Sequence, residues 1–266
     1  MELRGNLSKM RVENTNPVSY FLELNREEIY MNTLIEKEIM MHFTGIINCV
    51  ACGRVIKKAF GQGFCYPCFI NSPLNSECII KPELCLAHKG EGRDPEWEEK
   101  NHNTPHIVYL ALTSSLKVGV TRVDQIPVRW IDQGAWKAIK IAQTPYRQIA
   151  GEVEINLKEH MSDKTNWQKM LKNDMDNSID ILQEKEKVVD LLDDQLKEYY
   201  VQDESEVFTF DYPVLYYPEK IKSINLDKDP EIKARLSGIR GQYLIFQDNR
   251  VINIRKYSGY EIKLNF

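Results

Sequence analysis

The chain has 266 residues, 42% apolar and 28% charged, with a net charge of −4. Such a length and balance exclude a disordered or collagen-like chain and predict two or three modules with buried cores. No apolar run of about eighteen residues occurs, which excludes a membrane-spanning helix.

The opening "MELRGNLSKMRVENTN" has no apolar stretch of the kind a secretion signal needs, so the protein is expected in the cytoplasm. Thiols stay reduced there, and the six cysteines are expected as metal ligands or free thiols rather than as a disulfide framework. Charge is unevenly spread: residues 161–204 carry a net −6, while 106–160 and 205–266 carry +2 each. The overall sign therefore neither requires nor excludes a polyanionic partner.

Residues 1–47 read as strands, since "VSYFLEL" and "IEKEIMMHFTGII" carry β-branched and aromatic residues in short runs between polar turns. The next segment opens with "NCVACGRVIKKAFGQGFCYPCF", which sets Cys49, Cys52, Cys65 and Cys68 at C-x2-C-x12-C-x2-C. Four thiolates at this spacing suit tetrahedral zinc, because each C-x-x-C turn brings two sulfurs to one ion. Gly53 and Gly63 supply the tight backbone of such knuckles. A closed four-sulfur site has no position for water or substrate, and its expected role is structural.

The following "KPELCLAHKGEGRDPEWEEKNHNTPH" has no period and reads as a long connector that needs an external tie. Cys78, Cys85, His88 and His102 form a second, looser constellation along it. A metal on them would provide that tie; two ordinary buried thiols with two solvated imidazoles is the other reading.

From His106 the pattern becomes a hairpin, "HIVYLAL" and "LKVGVTR" around the turn "TSS". A short helix follows Pro127 and runs into a strand, and "TPYRQIAGEVEINLKEHM" repeats Ile149, Val153 and Leu157 at helical spacing. Residues 161–204 fit one or two long acidic helices packed as a hairpin, with Ser162 or Asp163 as N-cap and Trp167 either capping the core or stacking a base. From Val207 the chain returns to strands. Its "SGIRGQYLIFQDNRVINIRKYSGY" interleaves Arg240, Arg250, Arg255 and Lys256 with Tyr243, Phe246, Tyr257 and Tyr260. Single-stranded nucleic acid binders use such interleaving, and an ordinary sheet with apolar residues in and charges out explains it equally well.

The expected fold is α+β in four parts: an N-terminal β segment (1–47), a zinc-binding segment (48–105), an α/β domain with a helical extension (106–204) and a small C-terminal β module (205–266) that pairs with the N-terminal strands.

The stretch 106–158 resembles the GIY-YIG nuclease superfamily, whose core is a hairpin bearing Gly-Ile-Tyr and Tyr-Ile-Gly, then a helix with an arginine and a later helix with a metal-binding glutamate. "IVY" (Ile107, Val108, Tyr109) stands at the first motif and "KVG" (Lys117, Val118, Gly119) at the second, with Arg129 and Glu154 where the arginine and glutamate fall. Ile107 replaces the first glycine, Lys117 the second tyrosine, and Gln133 stands where many members carry a histidine. The order of "KPELC", "RDPEW", "KVGVTR", "RWIDQGA" and "GIRGQYLIF" also resembles, over nearly the whole chain, a bacterial family of unknown function.

The first resemblance implies a metal-dependent nuclease or related enzyme acting on RNA or DNA. Tyr109 would help deprotonate water, Glu154 would hold Mg²⁺, Arg129 would neutralise the phosphate, and Lys117 would support the tyrosinate. Arg122, Arg240 and Arg255 are the expected nucleic-acid contacts. A non-catalytic RNA- or DNA-binding zinc protein that retains the fold is the alternative, and a protein-interaction scaffold using the acidic helices is a third reading.

Overall fold

The computed structural model describes residues 2–162 and 164–266, so Asp163, considered above as a helix cap, lies outside the described residues. In chain order the strands begin with β1 (Glu2–Asn6), β2 (Arg11–Glu13), β3 (Ser19–Leu24), β4 (Glu27–Tyr30), β5 (Glu38–Asn48) and β6 (Val55–Ile56). The middle of the chain contains α1 (Tyr66–Asn71), α2 (Pro95–His102), β7 (His106–Leu112), β8 (Leu116–Arg122), α3 (Val128–Asp132), β9 (Lys137–Thr144), α4 (Arg147–Lys158), α5 (Trp167–Leu171) and α6 (Ile181–Leu191). Then come β10 (Phe208–Thr209), β11 (Lys222–Ser223), β12 (Glu231–Arg240), β13 (Tyr243–Phe246), β14 (Arg250–Asn253) and β15 (Tyr260–Asn265). This is a mixed α+β protein. The chain divides into two compact units: unit 1 is Met1–Ile70, Leu171–Asn173 and Phe210–Phe266, and unit 2 is Asn71–Met170 and Asp174–Thr209.

Unit 1 is built around β5, which pairs antiparallel with β15 on one side and β12 on the other. The sheet runs β1-β15-β5-β12-β13-β14-β11, with β6 folded back on β5, and β2-β3-β4 forms a second sheet. C-terminal strands thus pair directly with N-terminal ones, in the manner the sequence suggested. In β12 the residues alternate: Ile232, Ala234 and Leu236 are buried, while Glu231, Lys233 and Arg235 are exposed, the period-two signature of a strand with one face on a core. Three of the late aromatic residues follow the ordinary-sheet pattern of apolar side chains turned inward. Phe246, Tyr257 and Tyr260 are buried, and the Tyr257 and Tyr260 hydroxyls donate to the Ile224 carbonyl and to Asp227. A ring in that position contributes apolar area to a core and offers no open face to a base.

Unit 2 has the sheet order β10-β9-β7-β8. The apolar run of β7 is buried at every position, as a central strand covered on both faces requires. Val108, Leu110, Val118, Ile139 and Ile141 pack against Ala150, Val153 and Leu157 of α4 and against Ile181 and Val188 of α6. The alternate residues of β7 point the other way, and there Tyr109 meets Trp130 of α3 edge to face at a centroid distance of 5.7 Å.

Between 161 and 204 the described residues hold less helix than the apolar spacing suggested. α5 has five residues and α6 eleven. The run "KNDMDNSID" separates them, because Asn, Asp and Ser bond their own backbone and favour turns, and Asn173 adopts φ +57°. Asn166, rather than Ser162, accepts from the α5 backbone, through Lys169 N at 3.1 Å.

Candidate functional site

Three clusters carry chemistry. The first is the clip in unit 1. Cys49 follows the last residue of β5, Cys52 sits in the turn into β6, Cys65 immediately precedes α1 and Cys68 lies within it. Gly53 (φ +72°) and Gly63 (φ +96°) take left-handed conformations that L side chains rarely adopt, and a Cβ at Gly63 would strike the Ser258 carbonyl. With the backbone so bent, the four sulfurs all lie within 4.8 Å of one another, and all four cysteines are free thiols. Cys52 and Cys65 sulfurs are 3.8 Å apart, which matches the tetrahedral edge of about 3.8 Å that follows from zinc–sulfur bonds of about 2.3 Å. Such a set can hold a metal ion such as zinc. Arg54 Nε, 3.2 Å from Cys52 Sγ, offsets part of the thiolate charge.

The second cluster surrounds Tyr109 in unit 2. Gly119 pairs directly with Tyr109 across the hairpin, and the phenol lies so close over it that any side chain there would collide with the ring. Gln133, just past the end of α3, donates from Nε2 to the Tyr109 hydroxyl at 2.7 Å. Burial pushes the Tyr109 phenol above its ordinary pKa; the Arg129 guanidinium and the Gln133 hydrogen bond work against this, and the Glu154 charge adds to it. Arg129 and Glu154 are therefore both electrostatic neighbours of the same hydroxyl. Lys117 is buried two residues before Gly119, on the same face of β8. Glu154 is also buried and is paired with Lys158 one turn on, at 3.3 Å. Arg129 and Glu154 thus act on Tyr109 through their charges, and Tyr109 itself is fully covered.

The third cluster lies beside it in unit 2. Cys78, Cys85 and His102 are all buried, with ligand atoms within 4.8 Å of one another. His88, expected with them, falls outside the group; its ring stacks on Tyr146 at 4.6 Å. Arg147, at the start of α4, donates to the Cys78 carbonyl from Nε (3.0 Å) and a terminal nitrogen (2.8 Å), and to the Ile79 carbonyl (3.1 Å). Its charge acts on Cys78, Cys85, Glu154 and Arg129, so it stands electrostatically between the second and third clusters. Sequence reasoning passed over Arg147, because nothing local marks a cation at a helix start as buried.

Of the expected nucleic-acid contacts, Arg122 belongs to unit 2, and Arg240 and Arg255 to unit 1. Arg122 ends β8, paired with Asp124 at 3.1 Å and bonded to Asn101. Arg240 is 1% exposed, donates to Asn173 Oδ1 at 2.8 Å and lies over the Tyr212 ring. Its expected role as a surface phosphate contact is corrected accordingly: the guanidinium is held inside unit 1. Arg255, half-buried in unit 1, donates to Gln62 at 2.8 Å.

Fold and clusters together define a mixed α+β protein whose four clustered cysteines can hold a metal ion. The chain belongs to the DUF2797 family, described as a protein of unknown function, whose model matches residues 36–262. That span takes in all three clusters. No curated protein and no solved structure matches the chain.

Proposed function

We propose that the protein is a zinc protein that acts on nucleic acid through a GIY-YIG-like centre in unit 2, hydrolysing a phosphodiester, with the four-cysteine clip as a structural zinc site. The convergence on Tyr109 carries this reading. The hairpin brings the tyrosine over Gly119, the next helix brings Arg129, and α4 brings Glu154, in the order the superfamily uses.

A single carboxylate fits Mg²⁺, which commonly takes one or two protein carboxylates and completes its shell with water and substrate phosphates. When bound, that ion would stabilise negative charge on the phosphate and the leaving oxygen. Glu154, now paired with Lys158 at 3.3 Å, would hold the ion. Arg129 offsets charge on the phosphate, and Tyr109, once its own proton has passed to solvent, accepts a proton from the water whose oxygen displaces the alcohol from phosphorus, the leaving oxygen taking a proton from solvent. Lys117 favours the phenolate by its own charge.

A second reading, a non-catalytic RNA- or DNA-binding protein on the same fold, draws support from Tyr109 being fully buried with its phenol pushed toward the neutral form. Labelled single-stranded and duplex RNA and DNA, incubated with Mg²⁺ at two salt concentrations, separate the two. Hydrolysis requires cleavage that Glu154→Gln abolishes while binding persists, because the metal acts mainly on charge developing in the transition state. Salt-sensitive binding without cleavage, weakened by Arg129→Ala and unmoved by Glu154→Gln, gives the second reading. No binding at low salt overturns both.

A further inference from the structure

Cys78, Cys85 and His102 stand in a stretch whose own apolar core is small. Between α1 and α2 the connector forms only single turns, and its buried apolar cluster consists of Cys78, Cys85 and Ala87. So small a core does not fix a segment of this length. We propose that Cys78, Cys85 and His102 bind a second zinc ion, which ties the connector to α2 and sets its seat on α4.

The donor set fits. Two thiolates and an imidazole are the ligands zinc prefers, and a buried site excludes the harder, more hydrated cations. Cys78 Sγ and His102 Nδ1 are 3.7 Å apart, against a tetrahedral edge of about 3.6 Å for zinc with one sulfur and one nitrogen ligand. Outer contacts orient the ligands as metal sites require. Ser76 Oγ is 3.2 Å from Cys78 Sγ, and the His102 ring packs edge-on against Trp97. α2 delivers His102 at its last residue, after a start fixed by Pro95 and by Asp94, which accepts from Trp97 N. The set leaves one tetrahedral position for solvent or for a nearby carboxylate. The Glu98 carboxylate, buried one turn before His102, is instead taken by the Arg93 backbone N–H at 3.1 Å, which leaves that position to solvent.

The consequence reaches α4. Arg147 holds the Cys78 and Ile79 carbonyls, and Gly151 lies against the backbone of Pro82 and Glu83, one turn before Glu154. The metal thus fixes the surface on which the Glu154 helix rests. The inference stands apart from the hydrolytic reading, since it concerns metal content rather than turnover.

Elemental analysis of full-length protein, purified without chelator and desalted, tests it. Two zinc ions per chain are expected, falling to one in Cys85→Ser and in His102→Ala, and to one in Cys52→Ser through loss of the clip ion instead. His102→Cys is expected to retain both ions and, after cobalt substitution, to strengthen the thiolate-to-cobalt charge-transfer band. One ion per chain that Cys85→Ser leaves in place overturns the proposal, as does a Cys78–Cys85 disulfide in fresh protein under non-reducing mass analysis. Should Cys85→Ser fail to fold, His102→Cys decides alone: a cobalt spectrum identical to the parent's overturns the assignment.

Discussion

Gly119→Ala puts one methyl group where the structure has no room for it. The added Cβ would lie 2.6 Å from Tyr109 Oη, 2.7 Å from Cζ and 3.2 Å from Cε2. Ordinary carbon contacts fall at about 3.5–4.0 Å, so the overlap is roughly 1 Å along the outer part of the ring. The ring has nowhere to retreat, being fully buried, edge-on to Trp130 and held at its hydroxyl by Gln133. Overpacking of this kind costs about 1–3 kcal/mol. In a Tyr109→Leu background all three colliding atoms are gone. Leu itself costs about 2–4 kcal/mol through the cavity and the lost hydrogen bond, but the same Gly119→Ala change then costs close to nothing. The cycle therefore predicts a coupling of about 1–3 kcal/mol. Urea unfolding of the four proteins, followed by tryptophan fluorescence at fixed zinc concentration, measures it through midpoints at unchanged slope. An equal cost of Gly119→Ala in both backgrounds would refute the argument that the glycine exists because the tyrosine lies over it.

What the sequence disclosed and what it hid differ in range. The clip was legible because its ligands come in two local pairs whose backbone needs, Gly53 and Gly63, are written beside them. The hairpin was legible because a strand period and a short turn are local, whereas the pairing of Gly119 with Tyr109 is a matter of register that the structure supplies. By contrast, β12 alternates as plainly as any strand, yet its importance lies in partners roughly two hundred residues away on β5. Arg240 looked like a surface cation since arginine usually is one. It is buried because Asn173 and Tyr212, distant in sequence, supply an acceptor and a ring face. His88 was grouped with Cys78, Cys85 and His102 because all four are metal-ligand types on one connector, but an aromatic partner, Tyr146, takes its ring. In each case composition fixed the chemistry of the side chain, and long-range packing decided its use.

Removing the clip ion with a chelator, or Cys52→Ser, is expected to unfold the clip segment of unit 1, residues 49–68, because binding free energies on the order of 10 kcal/mol in such sites are folding free energy. Thermal melts with and without added zinc check this, and a melt insensitive to both perturbations counts against it. Arg147→Met is expected to cost about 2–4 kcal/mol by leaving the Cys78 and Ile79 carbonyls without their donor, read as a lower urea midpoint. The acid limb of stability is expected to depend on His106. Its Nδ1 lies 2.7 Å from the Thr104 carbonyl and donates to it, which leaves Nε2 buried with no partner among the described residues. Burial, reinforced by the charges of Arg147, His102 and Arg122 against the Thr104 hydrogen bond, lowers its pKa from 6.5 to about 4. A folded-state value below the unfolded one means the unfolded chain binds the proton first. The stabilisation is therefore complete above pH 6.5 and is lost as pH falls through about 4, a change on the order of 3 kcal/mol. His106→Gln cannot titrate, so its urea midpoint should fall less steeply than the parent's across that window; metal loss in acid affects both proteins and cancels in the comparison. Parallel pH profiles for the two would show that the imidazole is solvated and that the packing of β7 against its neighbours has been misjudged at this end.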